Sequence, residues 1–289
     1  MNIITDQRCT EYHHPGHPES PIRVAATIKR LREQNLLNLI WMDPGTVGEQ
    51  SILRAHSSEH WNRLRESGDF DADTPCLPGI GEHACASAAA AVKAMQLSRE
   101  GEKPFSLMRP PGHHATRTRA MGFCYLNNMA IATLEALATG SKKVAVFDFD
   151  VHHGNGTEAI LLNTPGCSFY SVHQHPCYPG TGTRNVGHNC FNFPVPPGTP
   201  RSHYLEVLES ALKAMIKSKP DLIGVSAGFD AYTNDPLAEG TLLAGDFNWL
   251  GLFFGSLKVP VFTVLEGGYS DELPDLIMAY LIGLKTGGG

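Results

Sequence analysis

A dense group of metal-binding and proton-transferring side chains follows the short apolar segment 144–147. The residues that come next are Asp148, Phe149, Asp150, Val151, His152, His153, Gly154, Asn155 and Gly156. On an extended backbone, residues two apart point to the same side, so Asp150 and His152 share a face. A carboxylate and an imidazole on one face supply half of a site for Zn²⁺ or a similar cation. The alternative is an ordinary polar loop, which this concentration of Asp and His disfavours.

Three further apolar segments also end in reactive side chains. Segment 105–108 runs into Arg109-Pro-Pro-Gly-His113-His114, segment 222–226 into Ala-Gly-Phe-Asp230, and segment 259–265 into Glu266-Gly-Gly-Tyr269. Parallel strands place their carboxyl ends on one edge of a sheet, which is where ligands bind in open α/β sheets. The sequence therefore predicts that these groups meet in a single active site.

Asp230 is the best candidate for the third ligand of the predicted metal site. It ends an apolar strand, and it completes a set of two carboxylates and one imidazole that leaves a position open for catalysis. The competing interpretation is a helix N-cap, a common role for Asp after a strand. Because two carboxylates weaken a divalent cation as a Lewis acid, a carbonyl substrate needs further polarisation. Tyr269 could supply it by a hydrogen bond to the developing oxyanion, although a tyrosine after two glycines also occurs as simple packing.

His113 and His114 are the candidates for proton transfer, because imidazole titrates near neutral pH. One member could take a proton from the attacking water, and the other could protonate a leaving amine. Such histidines need partners that fix their tautomer, and Asp148 and Asn155 are the nearest by motif. A pair of structural histidines is the alternative. His153 faces away from its ligand neighbour and is interpreted as structural.

Apolar segments alternate with helical ones, which is typical of a parallel sheet covered on both faces. The predicted strands are 2–5, 105–108, 144–149, 168–173, 222–226 and 259–265. The predicted helices are 20–34, 81–98, 126–138, 202–217 and 247–257. The chain shows no repeat, low-complexity tract or linker, so we expect one α/β domain over residues 1–289.

Composition excludes several classes of protein. With 289 residues and 42% hydrophobic content, the chain can bury a large core. The seven cysteines form no CxxC pair, which favours reduced thiols in the cytoplasm over disulfides or a thiolate zinc site. A formal net charge of −6 speaks against nucleic-acid binding. No stretch reaches the length of a membrane span and no secretory signal is evident, so we expect neither a membrane partner nor export.

At this point the motifs resemble the metal-dependent histone deacetylases and their bacterial relatives, the acetylpolyamine amidohydrolases and acetoin-utilisation proteins. The motifs are HPGHPESPIR (14–23), RPPGHHA (109–115), GFCYLNN (122–128), DFDVHHGNG (148–156), SAGFD (226–230) with NDP (234–236), and EGGY (266–269). They occur in the expected order over nearly the whole chain. Asn155, where other members have Asp, resembles the class II branch, and the compact size suggests a bacterial enzyme.

The resemblance implies a three-layer arginase-deacetylase fold with a central, mainly parallel sheet. It implies that Asp150, His152 and Asp230 bind Zn²⁺, with Fe²⁺ possible. His113 and His114 would be the catalytic pair, hydrogen-bonded to Asn155 and Asp148 respectively, and Tyr269 would polarise the substrate carbonyl. A structural K⁺ is expected beside the site. Its ligands would be the Asp148 side chain and main-chain oxygens around Asp150, His152, Ser171 and Val172.

The resemblance also implies a narrow tunnel for an acyl-lysine side chain. Phe123 and Tyr178 would line this tunnel, and Gly122 would let the backbone pass close to the substrate. The aspartate that anchors the substrate main chain in the family maps loosely onto Asp71 or Asp73. Polyamine-selective relatives carry an acidic residue just after the Asp-Pro pair, whereas this chain has Leu237.

The function expected from the resemblance is metal-dependent hydrolysis of an N-acyl amide, on acyl-lysine peptides or proteins or on small acylamides. Leu237 cannot attract a second ammonium group, so acyl-lysine is favoured over acetylpolyamines, which remain the first alternative. The alternative of another class is a catalytically silent metal-binding protein. A ureohydrolase with two manganese ions is disfavoured, because the ligands of a second metal are not evident.

Overall fold

The structure is a computed structural model that describes residues 1–288, and a single sheet runs through its centre. Within these residues the sheet has eight strands in the order β2-β1-β3-β8-β7-β4-β5-β6, and every neighbouring pair is parallel. The strands are β1 (Asn2–Ile4), β2 (Ile40–Met42), β3 (Phe105–Ser106), β4 (Val144–Asp148), β5 (Cys167–Gln174), β6 (Cys190–Val195), β7 (Leu222–Ala227) and β8 (Val261–Leu265).

Helices flank the sheet and lie in the connections between successive parallel strands, except between β5 and β6, which residues 175–189 join without a helix. They are α1 (Pro21–Glu33), α2 (Glu49–Ala55), α3 (Ser58–Arg63), α4 (Ile80–Arg99), α5 (Asn128–Ala138), α6 (Asn155–Leu161), α7 (Arg201–Lys217), α8 (Ala244–Ser256) and α9 (Leu273–Thr286). One turn of 3₁₀ helix, Gln7–Thr10, precedes α1. The predicted three-layer α/β architecture with a parallel sheet is confirmed.

All six predicted strands and all five predicted helices are present, with shifted ends. The strand predicted at 105–108 keeps only Phe105–Ser106, because the chain then turns into the segment that carries the histidine pair. The sequence did not predict β2, β6, α2, α3, α6 or α9. The strands β2 and β6 form the two sheet edges and lack a continuous buried run, while α2, α3 and α6 have at most seven residues. Periodicity is weakest in such short or half-exposed elements.

The central strands end side by side, and this positions the site. Asp148, the last residue of β4, is in register with Ser171 of β5 on one side and with Ser226 of β7 on the other. Ala227 of β7 is in register with Leu265 of β8. The segments after β4, β7 and β8 therefore leave the same edge of the sheet as neighbours. Among the helices of residues 1–288, none combines the length and apolar character needed to cross a membrane.

Candidate metal and proton-transfer site

Asp150, His152 and Asp230 converge at the carboxyl edge of the sheet. His152 Nδ1 lies 3.1 Å from Asp150 Oδ1 and 3.0 Å from Asp230 Oδ2. One potential ligand atom from each of the three residues lies within 4.8 Å of the others. Both aspartates are fully buried, and His152 is nearly so. The structure thus contains a possible Asp-His-Asp metal site where the sequence predicted one.

Backbone groups hold the two carboxylates in place around this site. Asp150 Oδ2 accepts the Gly267 N–H at 2.7 Å, and Asp230 Oδ1 accepts the Val151 N–H at 2.8 Å. A Cβ atom at Gly228 would lie 2.1 Å from Asp150 Oδ2, and one at Gly267 would lie 2.1 Å from Asp230 Oδ2. The two glycines therefore leave room that side chains would fill. At Asp230 the chain makes a turn and no helix starts, so the N-cap interpretation is wrong.

The charges of the site fit a divalent cation. Burial and the nearby Asp150 carboxylate raise the pKa of Asp230, because two like charges lie close together away from water. Burial opposes ionisation of Asp150 as well, but His113 and His152 hold its pKa below the ordinary range. Two buried carboxylates need a compensating positive charge, and two oxygens with one imidazole nitrogen suit Zn²⁺ or a similar ion. The residues present therefore fit such a metal.

The histidine pair lies beside the three potential ligands, with partners exchanged relative to the sequence-based expectation. His113 Nδ1 lies 3.1 Å from Asp148 Oδ2, and His114 Nδ1 lies 2.7 Å from Asn155 Oδ1. The predicted pairs His113–Asn155 and His114–Asp148 are therefore wrong. Asp148 is fully buried at the end of β4, whereas Asn155 starts α6 and is half-buried. The first histidine thus meets the deeper carboxylate, and the second meets the amide nearer the surface.

These partners give the two imidazoles opposite protonation preferences. Burial opposes the charge on His113, but the carboxylates of Asp150 and Asp148 raise its pKa to about 10. Burial and the neighbouring His113 lower the pKa of His114 well below its ordinary value. Because an amide oxygen only accepts, His114 Nδ1 donates to Asn155 and Nε2 is left as a free base. Titratable neighbours whose pKa values are pushed apart are typical of acid–base sites.

A cavity of about 320 Å³, called the tunnel below, adjoins these groups. His114, His152 and Tyr269 are among the residues that line it. The predicted substrate contacts also line it, namely Gly122, Phe123, Tyr178, Leu237 and Asp73. Gly122 has φ +55°, and a Cβ there would lie 2.6 Å from His114 Cδ2 and 2.9 Å from the Tyr178 ring. Glycine is therefore required where the tunnel passes the base.

Aromatic rings shape the tunnel wall. The Phe123 and Tyr269 rings meet edge to face with centroids 5.9 Å apart, and the Tyr178 ring meets that of His114 at 5.1 Å. Burial raises the pKa of Tyr269, so its hydroxyl keeps its proton and can donate a hydrogen bond. Of the two aspartates considered for the mouth, Asp73 lines the tunnel, whereas Asp71 binds the Asp73 N–H and lies 4.0 Å from Arg119.

The residues expected around a monovalent cation also lie together. Ser171 stands next to Asp148 across the β4–β5 pair, with Val172 following it, and all three are buried. The Ser171 hydroxyl lies 2.8 Å from His173 Nδ1. A monovalent cation at this place stays a prediction. His153 lies outside the tunnel, with Nδ1 2.7 Å from the Thr181 hydroxyl, in agreement with a structural role.

Several buried residues hold the reactive groups in place. They lie within the motifs, but the sequence alone predicted no role for them. Glu266 Oε2 accepts the N–H groups of Gly112 and His113 at 2.7 and 3.1 Å. Arg23 donates to the main-chain oxygens of Gly268 and Glu266, and its guanidinium lies 4.7 Å from the Tyr269 ring centroid. Asp235 accepts the Tyr269 N–H at 2.7 Å. Nothing in the spacing of these residues distinguishes them from surface charges, so contacts were needed to find them.

Comparisons with known proteins identify the family. The model of the histone deacetylase domain family matches residues 17–283. The probable deacetylase of Methanothermobacter thermautotrophicus is 39% identical over 287 residues, which cover 94% of this chain and 86% of that protein. The histone deacetylase-like amidohydrolase of Pseudomonas aeruginosa is 35% identical over 283 residues, covering 89% and 73% of the two chains. This chain belongs to the histone deacetylase family.

The fold is also shared with a solved member. The crystal structure of an acetylpolyamine aminohydrolase from Burkholderia pseudomallei superposes with a TM-score of 0.89 at 27% identity, covering 100% of this chain and 98% of the other. The resemblance seen in the motifs is therefore confirmed for both the family and the arginase-deacetylase fold.

Proposed function

We propose that this protein is a metal-dependent deacetylase that hydrolyses N-acetyl groups on lysine side chains or related acylamides. The observation that carries the proposal is the cavity lined by His114, His152 and Tyr269, beside the Asp150–His152–Asp230 set. A free base, a phenol donor and a cluster suited to a divalent cation meet where an extended acylamide would place its carbonyl. The metal would be Zn²⁺ or Fe²⁺, held by these three residues.

When bound, the cation would supply Lewis-acid activation of the attacking water and of the substrate carbonyl. His114 Nε2 takes the proton of the water whose oxygen forms the new bond to the carbonyl carbon. The Tyr269 hydroxyl donates a hydrogen bond to the carbonyl oxygen as negative charge develops there. His114 then returns the proton to the amine nitrogen, the C–N bond breaks, and a carboxylate and an amine are released.

The remaining polar residues orient this pair. Asn155 fixes the tautomer of His114, and Asp148 orients His113 beside the site. A monovalent cation near Asp148, Ser171 and Val172 would add to the rigidity of this layer.

The tunnel wall favours acyl-lysine over acetylpolyamine. Leu237 is apolar and about one-third exposed at the mouth, so this part of the lip offers no charge to a second ammonium group. Asp73 is exposed on the lining and can accept N–H groups from a peptide main chain. Peptide substrates provide such N–H groups beside the lysine side chain.

Acetylpolyamine hydrolysis is the second candidate, supported by the likeness to acetylpolyamine amidohydrolases. An activity panel on metal-quantified protein distinguishes the two substrates. We expect kcat/KM for acetyl-lysine peptides to exceed that for N-acetylputrescine and N⁸-acetylspermidine. A higher value for the polyamines would reverse the assignment.

The proposed chemistry is tested with the Tyr269→Phe variant. Loss of one oxyanion donor is expected to lower kcat by a factor on the order of 10² to 10³. Tyr280→Phe is the matched control, because Tyr280 is a buried phenol whose hydroxyl bonds Thr263 away from the tunnel. Equal, slow rates for the wild type and Tyr269→Phe would instead indicate a catalytically silent metal-binding protein.

A further inference from the structure

One buried carboxylate, Asp235, connects the catalytic tyrosine to the lip of the tunnel. Its Oδ2 accepts the Tyr269 N–H at 2.7 Å, and its Oδ1 accepts the Leu237 N–H at 3.0 Å. Asp235 is only 6% exposed, whereas both residues that it binds line the tunnel. A single side chain therefore fixes the backbone of a reacting residue and of a substrate-contacting residue.

The hydrogen bond from Tyr269 to Asp235 matters because two glycines precede Tyr269 in the chain. Gly267 and Gly268 precede Tyr269, and Gly268 has φ +115°, a conformation that side-chain-bearing residues rarely adopt. Two consecutive glycines restrict the chain little, so the place of Tyr269 depends on what binds its surroundings. Arg23 lies over the phenol ring and binds the Gly268 carbonyl, while Asp235 holds the Tyr269 N–H. Asp235 therefore fixes the backbone of Tyr269 on the side of this residue that faces Leu237.

Asp235 is placed to act through Tyr269 rather than on the reaction directly. In the part of the chain that the structure describes, the hydrogen bonds of its carboxylate go to the backbone of Leu237 and Tyr269, and it is not among the three potential metal ligands. It does not line the tunnel cavity that Leu237 and Tyr269 line. A role as base or ligand is therefore disfavoured.

We propose that Asp235 is a positioning residue that sets where the Tyr269 hydroxyl meets the substrate carbonyl and couples this position to the Leu237 lip. The inference rests on the proposed deacetylase function and extends it. A displacement of a catalytic group by about 1 Å costs on the order of 10²-fold in rate. Loss of the Asp235 bond is therefore expected to lower kcat with little change in metal binding.

The Asp235→Asn variant tests this with minimal change of shape. An amide has only one accepting oxygen, so either Tyr269 or Leu237 loses its acceptor. We expect kcat to fall at least about tenfold, while zinc content after dialysis and the zinc dissociation constant by chelator competition stay at wild-type values. Asp246→Asn is the matched control, because Asp246 is also buried, accepts the Leu243 N–H at the start of α8 and binds Arg201. It should lower stability without lowering kcat.

A double-mutant cycle with Tyr269→Phe separates positioning from general damage. Trifluoroacetyl-lysine peptide is the substrate, because its electron-poor carbonyl keeps slow variants measurable. If Asp235 acts through the Tyr269 hydroxyl, Asp235→Asn costs about tenfold or more in the wild-type background and less than about twofold in Tyr269→Phe. Equal factors in both backgrounds, or an unchanged kcat in Asp235→Asn, would overturn the inference.

A second variant and the activity of the wild type distinguish failure of this inference from failure of the proposed function. If Asp235→Asn does not yield folded protein, Asp235→Glu runs the same cycle, since it keeps the charge but moves both oxygens outward. A wild type that is active and sensitive to Tyr269→Phe but indifferent to both Asp235 variants would refute this inference alone. A wild type that hydrolyses no acylamide would refute the proposed function and this inference together.

Discussion

At the scale of single residues, the site consists of buried ionisable groups whose surroundings give them different protonation preferences. Asp150, His152 and Asp230 face one another, while His113 and His114 lie beside them with pKa values shifted in opposite directions. The same residue types scattered over a surface would do little. Here burial and short distances give each a distinct state, and this is what turns a cluster of polar side chains into a candidate catalyst.

Substitution of the potential ligands should remove the metal. Asp150→Ala and Asp230→Ala each delete one of the three donors and leave an uncompensated site, so we expect zinc content after dialysis to fall well below one equivalent. Elemental analysis gives the measurement, and Asp246→Ala is the control for loss of a buried aspartate. Full metal retention in both ligand variants would show that the assignment is wrong.

Substitution of the base should have the opposite signature. His114→Ala removes the free Nε2 but none of the three potential ligands, so we expect metal content to stay and kcat to fall by a factor of about 10² to 10⁴. The two quantities are measured on the same preparation. Turnover within about twofold of wild type would exclude His114 as the proton acceptor.

At the scale of elements, the loop that carries Tyr178 packs closely against two histidine rings at Gly182. A Cβ at Gly182 would lie 2.3 Å from His173 Nε2 and 2.7 Å from the His153 ring, and Gly182 has φ +80°. Gly180 in the same loop has φ +83° but nothing within 4 Å of such a Cβ. A side chain would therefore strain the backbone equally at both positions, but it would collide with neighbouring atoms only at Gly182.

Gly182→Ala should displace this loop, whereas Gly180→Ala should not. Strain at positive φ costs both variants about 1 kcal/mol of unfolding free energy, and overpacking adds about 1–3 kcal/mol to Gly182→Ala alone. Because Tyr178 forms the tunnel wall, we also expect a higher KM for Gly182→Ala only. Chemical denaturation measures the unfolding free energies and steady-state kinetics measures KM. Equal values for the two variants would contradict the prediction that close packing at Gly182 positions the loop.

The positions of the buried strands could be predicted from the sequence, whereas the hydrogen-bond partners in the site could not. Buried strands such as β4 and β7 are continuous apolar runs, so their positions and the reactive residues at their ends were predictable from pattern. The partners of His113 and His114 were not, because depth in the site decides them and spacing does not encode depth. Asp235 and Glu266 escaped for a similar reason, since their oxygens bind backbone N–H groups that only the folded chain brings near.

At the scale of the whole molecule, a rigid sheet places several separate segments of the chain around one small volume. The fold therefore has to tolerate many buried polar groups, and histidines away from the tunnel contribute to its pH dependence. His56 is buried between loops, with Nδ1 2.9 Å from the Thr116 carbonyl and Nε2 accepting the Asn127 N–H. Burial lowers the pKa of His56 to about 3.

This burial predicts a loss of stability in mild acid. The folded pKa lies below the unfolded value near 6.5, so the stabilisation is present above pH 6.5 and is lost as the pH falls toward 3. At pH 5 the loss from this one group is about 2 kcal/mol relative to neutral pH. In His56→Asn, the difference between the unfolding free energies at pH 7 and pH 5 should shrink by that amount. An unchanged difference would contradict the prediction.

The central claim is that Asp150, His152 and Asp230 hold one divalent cation at the end of the tunnel. Anomalous diffraction at the zinc edge, from crystals of zinc-loaded protein, tests it most directly. We predict one strong peak within about 2.0–2.2 Å of a carboxylate oxygen of each aspartate and of His152 Nδ1. A fully loaded crystal whose peak lies elsewhere, or in which one of these donors points away from it, would contradict the account.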